Sequence, residues 1–350
     1  MPVHHNSADL PDGAYTQAGV SLDAAQRAKQ LMAAAVRSTY GPEVLAGIGA
    51  FGGMFSAARL KDMAEPVLVA STDGVGTKTK VAARMGRWDT IGHDLVNHCV
   101  NDILAQGARP LFMLDYVAAA RLEPEQIATI VAGVAEACRA AGCALIGGET
   151  AQMPGVYEAG EIDLVGTIIG VVDRAQIVDG THIRPGDAIL GLPSTGLHTN
   201  GYSLARQALA DLDWAVSLPE LGCSPAEALL APHRAYLEPI ERLRAAGVVL
   251  RGLAHITGGG FTENLPRILP AGCGAELRRG TWPEPPIFDL IQRRGEVEPA
   301  EMFDIFNMGL GMLVIVAPED VARAQAALSG EAHLVGEVVA GKGQVTVDNL

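Results

Sequence analysis

Short apolar runs alternate with glycine-rich polar loops and amphipathic stretches along nearly the whole chain, which restricts it to a mixed α/β or α+β architecture. Pro66-Val67-Leu68-Val69-Ala70-Ser71 is an apolar run leading into Asp73-Gly74, the pattern of a buried strand that delivers a loop. Residues 89–108 read as a helix. Ile91, Leu95, Val96, Val100, Ile103 and Leu104 recur every three or four positions, while Asp94, Asn97, His98 and Asn101 share another face. An earlier helix over 21–40 is capped by Ser21 and halted by Gly41-Pro42. Strands over 111–116, 144–147 and 163–172 flank a helix over 125–141, with Gly148-Glu149-Thr150 closing the second of them. Further strands over 188–192, 248–256, 313–316 and 333–339 alternate with helices over 201–212, from 262, and over 318–328. Polar residues collect where strands give way to loops, the usual place for ligands in α/β sheets.

A chain of 350 residues, 49% of them hydrophobic, has material for two cores. Turn signals at Asp179-Gly180 and Arg184-Pro185-Gly186-Asp187 put the junction there, giving an N-terminal domain over 1–172 and an α/β domain over 173–350. No apolar run approaches the ~18 residues of a membrane span. The start, Met1-Pro2-Val3-His4-His5, lacks a secretory pattern, and residues 1–13 read as a loose tail. The net charge of -14 disfavours nucleic-acid binding, though local donors still suit small anions. Five cysteines without Cys-x-x-Cys spacing indicate reduced thiols and a cytoplasmic setting.

Gly47-Ile48-Gly49-Ala50-Phe51-Gly52 matches a dinucleotide fingerprint in letters but follows turn residues rather than a strand, so it reads as a glycine-rich loop. Ser71-Thr72-Asp73-Gly74-Val75-Gly76-Thr77-Lys78 has the ingredients of a phosphate loop without its spacing: backbone amides at Gly74 and Gly76, a cation at Lys78 and a carboxylate at Asp73. Asp102, Asp115 and Glu149 also stand at strand ends or in Gly/Asn-rich patches, where carboxylates from separate elements make a metal–nucleotide site. The loop Pro193–Ser203, with His198 and Asn200, and the run His255-Ile256-Thr257-Gly258-Gly259-Gly260 suit a phosphate or polar substrate. His93 and His98 lack zinc spacing and read as packing or hydrogen-bonding residues. Trp214 and Trp282 read as packing at domain or subunit surfaces.

Taken in order, these segments resemble the phosphoribosylformylglycinamidine cyclo-ligase (aminoimidazole ribonucleotide synthetase) family. The resemblance runs from Tyr15-Thr16-Gln17-Ala18-Gly19-Val20 to Asn307-Met308-Gly309-Leu310-Gly311-Met312. Between them lie Ser71–Lys78, Val100-Asn101-Asp102, Leu111–Tyr116, Gly147-Gly148-Glu149-Thr150-Ala151-Gln152-Met153-Pro154-Gly155, Gly196–Ser203 and His255–Leu269. Gln152 stands where the family usually has Glu, and Met308 where Cys is common.

The resemblance implies ATP- and Mg²⁺-dependent closure of formylglycinamidine ribonucleotide to aminoimidazole ribonucleotide, with ADP and phosphate released. It also implies a homodimer in which N-terminal halves share a β-barrel, with a C-terminal α/β half. By this reading Asp73, Asp102 and Glu149 hold Mg²⁺. Gly74, Gly76, Thr77, Lys78, Asn101, Gly148 and Thr257-Gly258-Gly259-Gly260 contact ATP or substrate phosphate. His198, Asn200 and Lys78 serve the chemistry, with His198 the first choice of general base. Related kinases and synthetases of the same superfamily are the nearest rivals. A selenophosphate synthetase would usually carry an early cysteine, whereas the first here is Cys99. A non-catalytic nucleotide sensor and a Rossmann oxidoreductase are the remaining rivals. Intact acidic residues argue against the first, and the misplaced glycine motif against the second.

Overall fold

The computed structural model describes residues 14–349; the tail expected over 1–13 lies outside them. Twelve strands run in order: β1 Val44–Ala46, β2 Met54–Phe55, β3 Pro66–Gly74, β4 Arg109–Ala119, β5 Ala144–Gln152, β6 Ile162–Asp173, β7 Ala188–Pro193, β8 Gly252–His255, β9 Cys273–Arg278, β10 Leu310–Val316, β11 His333–Ala340 and β12 Val345–Asp348. β1 and β2 pair alone. β3-β6-β4-β5 form one sheet, and β12-β9-β11-β7-β10-β8 form another. Among these strands, β4–β5 and β12–β9 pair in parallel and the rest antiparallel. The mostly antiparallel pairing makes the fold α+β rather than doubly wound.

β6 shows why the first sheet forms. Its even positions, Ile162, Leu164, Gly166, Ile168, Gly170 and Val172, are buried, and its odd positions are half-buried, the period of two that a pleated strand imposes. The even face packs beneath the Ile91–Ala105 helix. Gly166 is required there, because a Cβ would lie 2.1 Å from Met113 Cε and 3.1 Å from Leu95 Cγ. The opposite face carries Val165, Ile169 and Val171, half-buried, beside Leu68, which is 62% exposed. Ser21 caps the Leu22–Arg37 helix as expected, accepting from Ala24 N at 3.1 Å. Gln152 secures the same turn from β5, with Oε1 accepting from Ser21 N and Nε2 donating to Ser21 O.

In the second half, β10 is buried at every position between β7 and β8, so its sequence is a continuous apolar run without alternation. Two expectations need correcting. Gly148, Glu149 and Thr150 continue β5 instead of forming a loop, because they pair with Asp115, Tyr116 and Val117 of β4. Trp214 and Trp282 lie inside the core, 3% and 5% exposed, with their indole N–H groups bonded to Leu209 O and Met308 O. Among the described residues no helix is long and apolar enough to cross a membrane.

Candidate active site

The polar face of the Ile91–Ala105 helix binds the first half to the second. Asn97 Nδ2 donates to His233 O at 2.7 Å. Asn101 donates to Arg234 O at 2.8 Å and accepts from Tyr236 N at 3.0 Å. Asp94 Oδ1 accepts from His233 N and from Lys78 Nζ, both at 2.7 Å. These bonds hold residues 233–236 against the helix and bring four imidazoles together. His198 and His233 stack with centroids 3.9 Å apart, while His98 lies 5.2 Å from both His233 and His255.

Two carboxylates border this cluster. Asp73, near the end of β3, places Oδ2 at 2.9 Å from His98 Nε2. Asp102, one helical turn after His98, has Oδ1 at 2.8 Å from His255 Nδ1, and its Oδ2 accepts from Ser71 Oγ at 2.9 Å. Burial acts to raise both carboxyls, but neighbouring histidines outweigh it and hold both below the usual range. Burial acts to lower His98, yet Asp73 and Asp102 outweigh it and hold its pKa above the ordinary value. Burial wins at His198, His233 and His255, which stay neutral at pH 7. Asp73 and Asp102 keep part of their surface exposed, so the cluster opens at its carboxylate end.

Several site expectations change. Lys78 is not a free phosphate-binding cation: it is fully buried, and its ammonium donates to Asp94 and to Ala231 O at 2.7 Å. Asn101 is likewise occupied at both ends of its carboxamide by backbone. The Gly74 amide donates to Asp73 Oδ1 at 2.6 Å. Glu149 does not converge with Asp73 within one chain. Asp73, Gly166, Asp115 and Gly148 form one cross-strand row, so Glu149, next to Gly148, points to the opposite face of the sheet. It lines a separate cavity of about 960 Å³ with Gly148, Asp115 and the 47–53 glycine loop. His198 is 1% exposed, and its Nε2 faces the amides of Thr195 and Arg234 at 3.3 and 3.4 Å. That lone pair is not presented to the cleft as a general base needs.

The structure does bring other predicted residues together. Gly76 and Thr77 lead into the Lys78–Met85 helix, with Thr77 Oγ1 3.3 Å from Ser203 Oγ. Asn200 lies beside Gly258 across the cleft, and its buried Nδ2 has no partner. Gly259 and Gly260 have φ of +88° and +55°, and Asn264 Nδ2 braces the turn by donating to Gly258 O and Gly260 O. A Cβ at Gly260 would lie 1.9 Å from Phe303 O, so only glycine fits. Sequence reasoning missed His233, which sits in no glycine-rich loop and joins the cluster only through tertiary contacts. It also underrated His98, whose partner Asp102 four residues on was the available signal.

Comparison with known proteins gives a consistent result. Residues 56–172 match the N-terminal domain, and 184–349 the C-terminal domain, of AIR synthase related proteins. Proteins named phosphoribosylformylglycinamidine cyclo-ligase are similar over nearly the full length. That of Desulfitobacterium hafniense is 53% identical over 93% of this chain and 96% of its own. That of Alkaliphilus oremlandii is 52% identical over 95% and 98%. Among solved structures, thiamine-monophosphate kinase from Stenotrophomonas maltophilia has a TM-score of 0.64 at 20% identity, covering 91% of this chain and 96% of that one. The hydrogenase maturation protein HypE in complex with ATP also gives 0.64 at 20% identity, covering 89% and 88%. These two share the fold.

Proposed function

Because the chain belongs to the phosphoribosylformylglycinamidine cyclo-ligase family of AIR synthase related proteins, we propose that it closes the imidazole ring of aminoimidazole ribonucleotide from formylglycinamidine ribonucleotide, using ATP. The observation that carries this reading is identity above 50% across both domains to relatives bearing that name, against 20% to the kinase of the same fold.

An amide oxygen is a poor leaving group. Transfer of the γ-phosphoryl group to the formyl oxygen makes an iminophosphate, the amidine nitrogen attacks that carbon, and loss of phosphate and a proton closes the ring. Such a site works by positioning phosphates and balancing their charge. Asp73 and Asp102 suit Mg²⁺: they are ionised carboxylates from separate elements, with oxygens open to the cleft. Mg²⁺ held there supplies charge neutralisation to the nucleotide phosphates. The Gly76–Thr77 amides face the same phosphates. The Thr257–Gly260 turn and the unpartnered Asn200 amide serve the substrate's phosphate and its reacting amide.

The enzyme acts as a homodimer in this reading, with the faces of two four-stranded sheets that carry Leu68 closing into a barrel. Leu68, Val165, Ile169 and Val171 on that face support it, since an apolar sheet face in water needs a partner. Glu149 stands on the same face, so its part in catalysis runs through the second subunit.

Purified protein with ATP, Mg²⁺ and formylglycinamidine ribonucleotide should yield aminoimidazole ribonucleotide and ADP in equal amounts. ATP bound by a folded dimer without ring-closed product refutes the assignment. Phosphorylation of thiamine monophosphate in the same preparation would instead make it a kinase.

A further inference from the structure

His233 is 1% exposed, and its backbone and ring are both engaged on two sides. Its N–H is held by Asp94 and its carbonyl by Asn97, each at 2.7 Å. Its ring stacks on His198 with centroids 3.9 Å apart and 23° between the planes. His198 is itself anchored, with Nε2 facing the Thr195 and Arg234 amides. A clamped backbone and a stacked neighbour leave the His233 ring little freedom to turn.

The two nitrogens of that ring lead to the two carboxylates by separate routes. A carboxylate only accepts, so His255 Nδ1, 2.8 Å from Asp102 Oδ1, carries the proton and donates it. With its proton there, His255 offers a lone pair at Nε2, and His233 Nε2 donates to it at 3.1 Å. With its own proton on Nε2, His233 accepts at Nδ1 from the Thr199 hydroxyl, 3.4 Å away. The hydroxyl oxygen accepts in turn from His98 Nδ1 at 2.7 Å, and His98 Nε2 faces Asp73 Oδ2 at 2.9 Å. Every donor and acceptor from Asp102 to Asp73 is thus assigned by its neighbour, and His233 joins the two arms.

Asp73 and Asp102 belong to the first half of the chain, and Thr199, His233 and His255 to the second. Asp73 Oδ1 also accepts from the Gly74 amide and Asp102 Oδ2 from Ser71 Oγ, so each carboxylate is fixed at both oxygens. Hydrogen bonds behind a metal-binding carboxylate orient it, and losing one typically costs about 10- to 100-fold in metal affinity. We propose that His233 is a positioning residue, which touches neither metal nor substrate but aims both Mg²⁺-binding carboxylates, Asp73 through Thr199 and His98, and Asp102 through His255. The proposal rests on the placement of Mg²⁺ at Asp73 and Asp102.

The test reads ring protons and Mg²⁺ demand in the full-length protein. In ¹⁵N-histidine spectra without metal, His255 should be the Nδ1–H tautomer and His233 the Nε2–H tautomer. His233→Leu fills the space of the ring without its hydrogen bonds. It should raise, by about tenfold or more, the Mg²⁺ needed for half-maximal binding of a fluorescent ATP analogue. His233→Gln is of similar size, and its amide can still donate to His255, so it should recover part of that loss. A proton on Nε2 of His255 in the parent protein overturns the proposal, and that measurement needs no variant. Parental Mg²⁺ demand in folded His233→Leu, or equal demand in the Leu and Gln variants, overturns it too. Asp73→Asn in the same titration separates the two readings. If it raises Mg²⁺ demand and His233→Leu does not, only the role of His233 falls. If neither does, the metal placement falls and the proposal with it. None of these readouts uses ring closure, so failure of the cyclo-ligase assignment is seen independently.

Discussion

Replacing Lys78 by methionine separates a structural lysine from a phosphate-binding one. The ammonium is fully buried, donates to Asp94 Oδ1 and Ala231 O at 2.7 Å each, and lies 5.7 Å from the centroid of Tyr202. Burial pulls Lys78 below and Asp94 above their ordinary ranges, and each partner's charge opposes that pull. Methionine keeps the length of the side chain but leaves Asp94 facing only the His233 amide, since Asp94 Oδ2 already has no partner. Stranding one member of a buried ion pair costs about 3 to 5 kcal/mol. At about 2 to 4 °C per kcal/mol for a domain of this size, Tm should fall by roughly 10 °C in scanning calorimetry. Lys78→Met combined with Asp94→Leu removes both charges and should recover most of that loss. Fluorescent-nucleotide titration below the melting range should find Mg-ATP still bound by Lys78→Met. A variant that melts like the parent but no longer binds ATP refutes the reasoning and returns Lys78 to the phosphates.

Four further outcomes follow from the geometry. Asp73→Asn should cut turnover strongly with the dimer intact by light scattering, and near-normal turnover would remove Asp73 from the metal site. Burial pushes the Asp115 carboxyl up to about 7, so the fold keeps a proton that the unfolded chain releases near pH 4. Its penalty is absent below pH 4, grows up to pH 7 and is constant above. Asp115→Asn should therefore raise stability at pH 8, by on the order of 4 kcal/mol, and leave it unchanged at pH 4, as thermal melts at the two pH values would reveal. Gly260→Ala forces the turn away from Phe303 O, and steady-state kinetics should record a higher KM for the ribonucleotide with a smaller change in that for ATP. Asn101→Ala frees Arg234 O and Tyr236 N from their partner and should cost about 1 to 3 kcal/mol in denaturant unfolding.

Local patterns carried most of the fold. The Ile91–Ala105 helix declares itself by apolar spacing, and β6 by strict alternation, because both signals are set by which face meets the core. β12 and β9 were invisible: β12 is four residues long, and both follow turn-rich sequence. In the site, Asp73 stood out as an acid near the end of a strand, Asn200 and the glycine turn as polar and glycine-rich loops, and Asp102 as an acid beside Asn101. Lys78 misled because a lysine after two glycines resembles a phosphate loop. What decides its role is Asp94, 16 residues on, and Ala231, 153 residues on. Glu149 misled because proximity along the strand hides the reversal of face between neighbours.

The bonds from the Ile91–Ala105 helix to residues 233–236 also bear on how such a gene can recombine. Asp94, Asn97 and Asn101 bond to backbone atoms of His233, Arg234 and Tyr236, so this seam recognises the path of the chain more than its side chains. The imidazole cluster is different, since His98 comes from one half and His198, His233 and His255 from the other. A crossover in the linker near residues 173–187 would give progeny that fold across a compatible seam while inheriting mismatched halves of the cluster. Hybrids of diverged parents should therefore be soluble far more often than they are active, and restoring the parental residue at position 98 or 233 is the first repair to try.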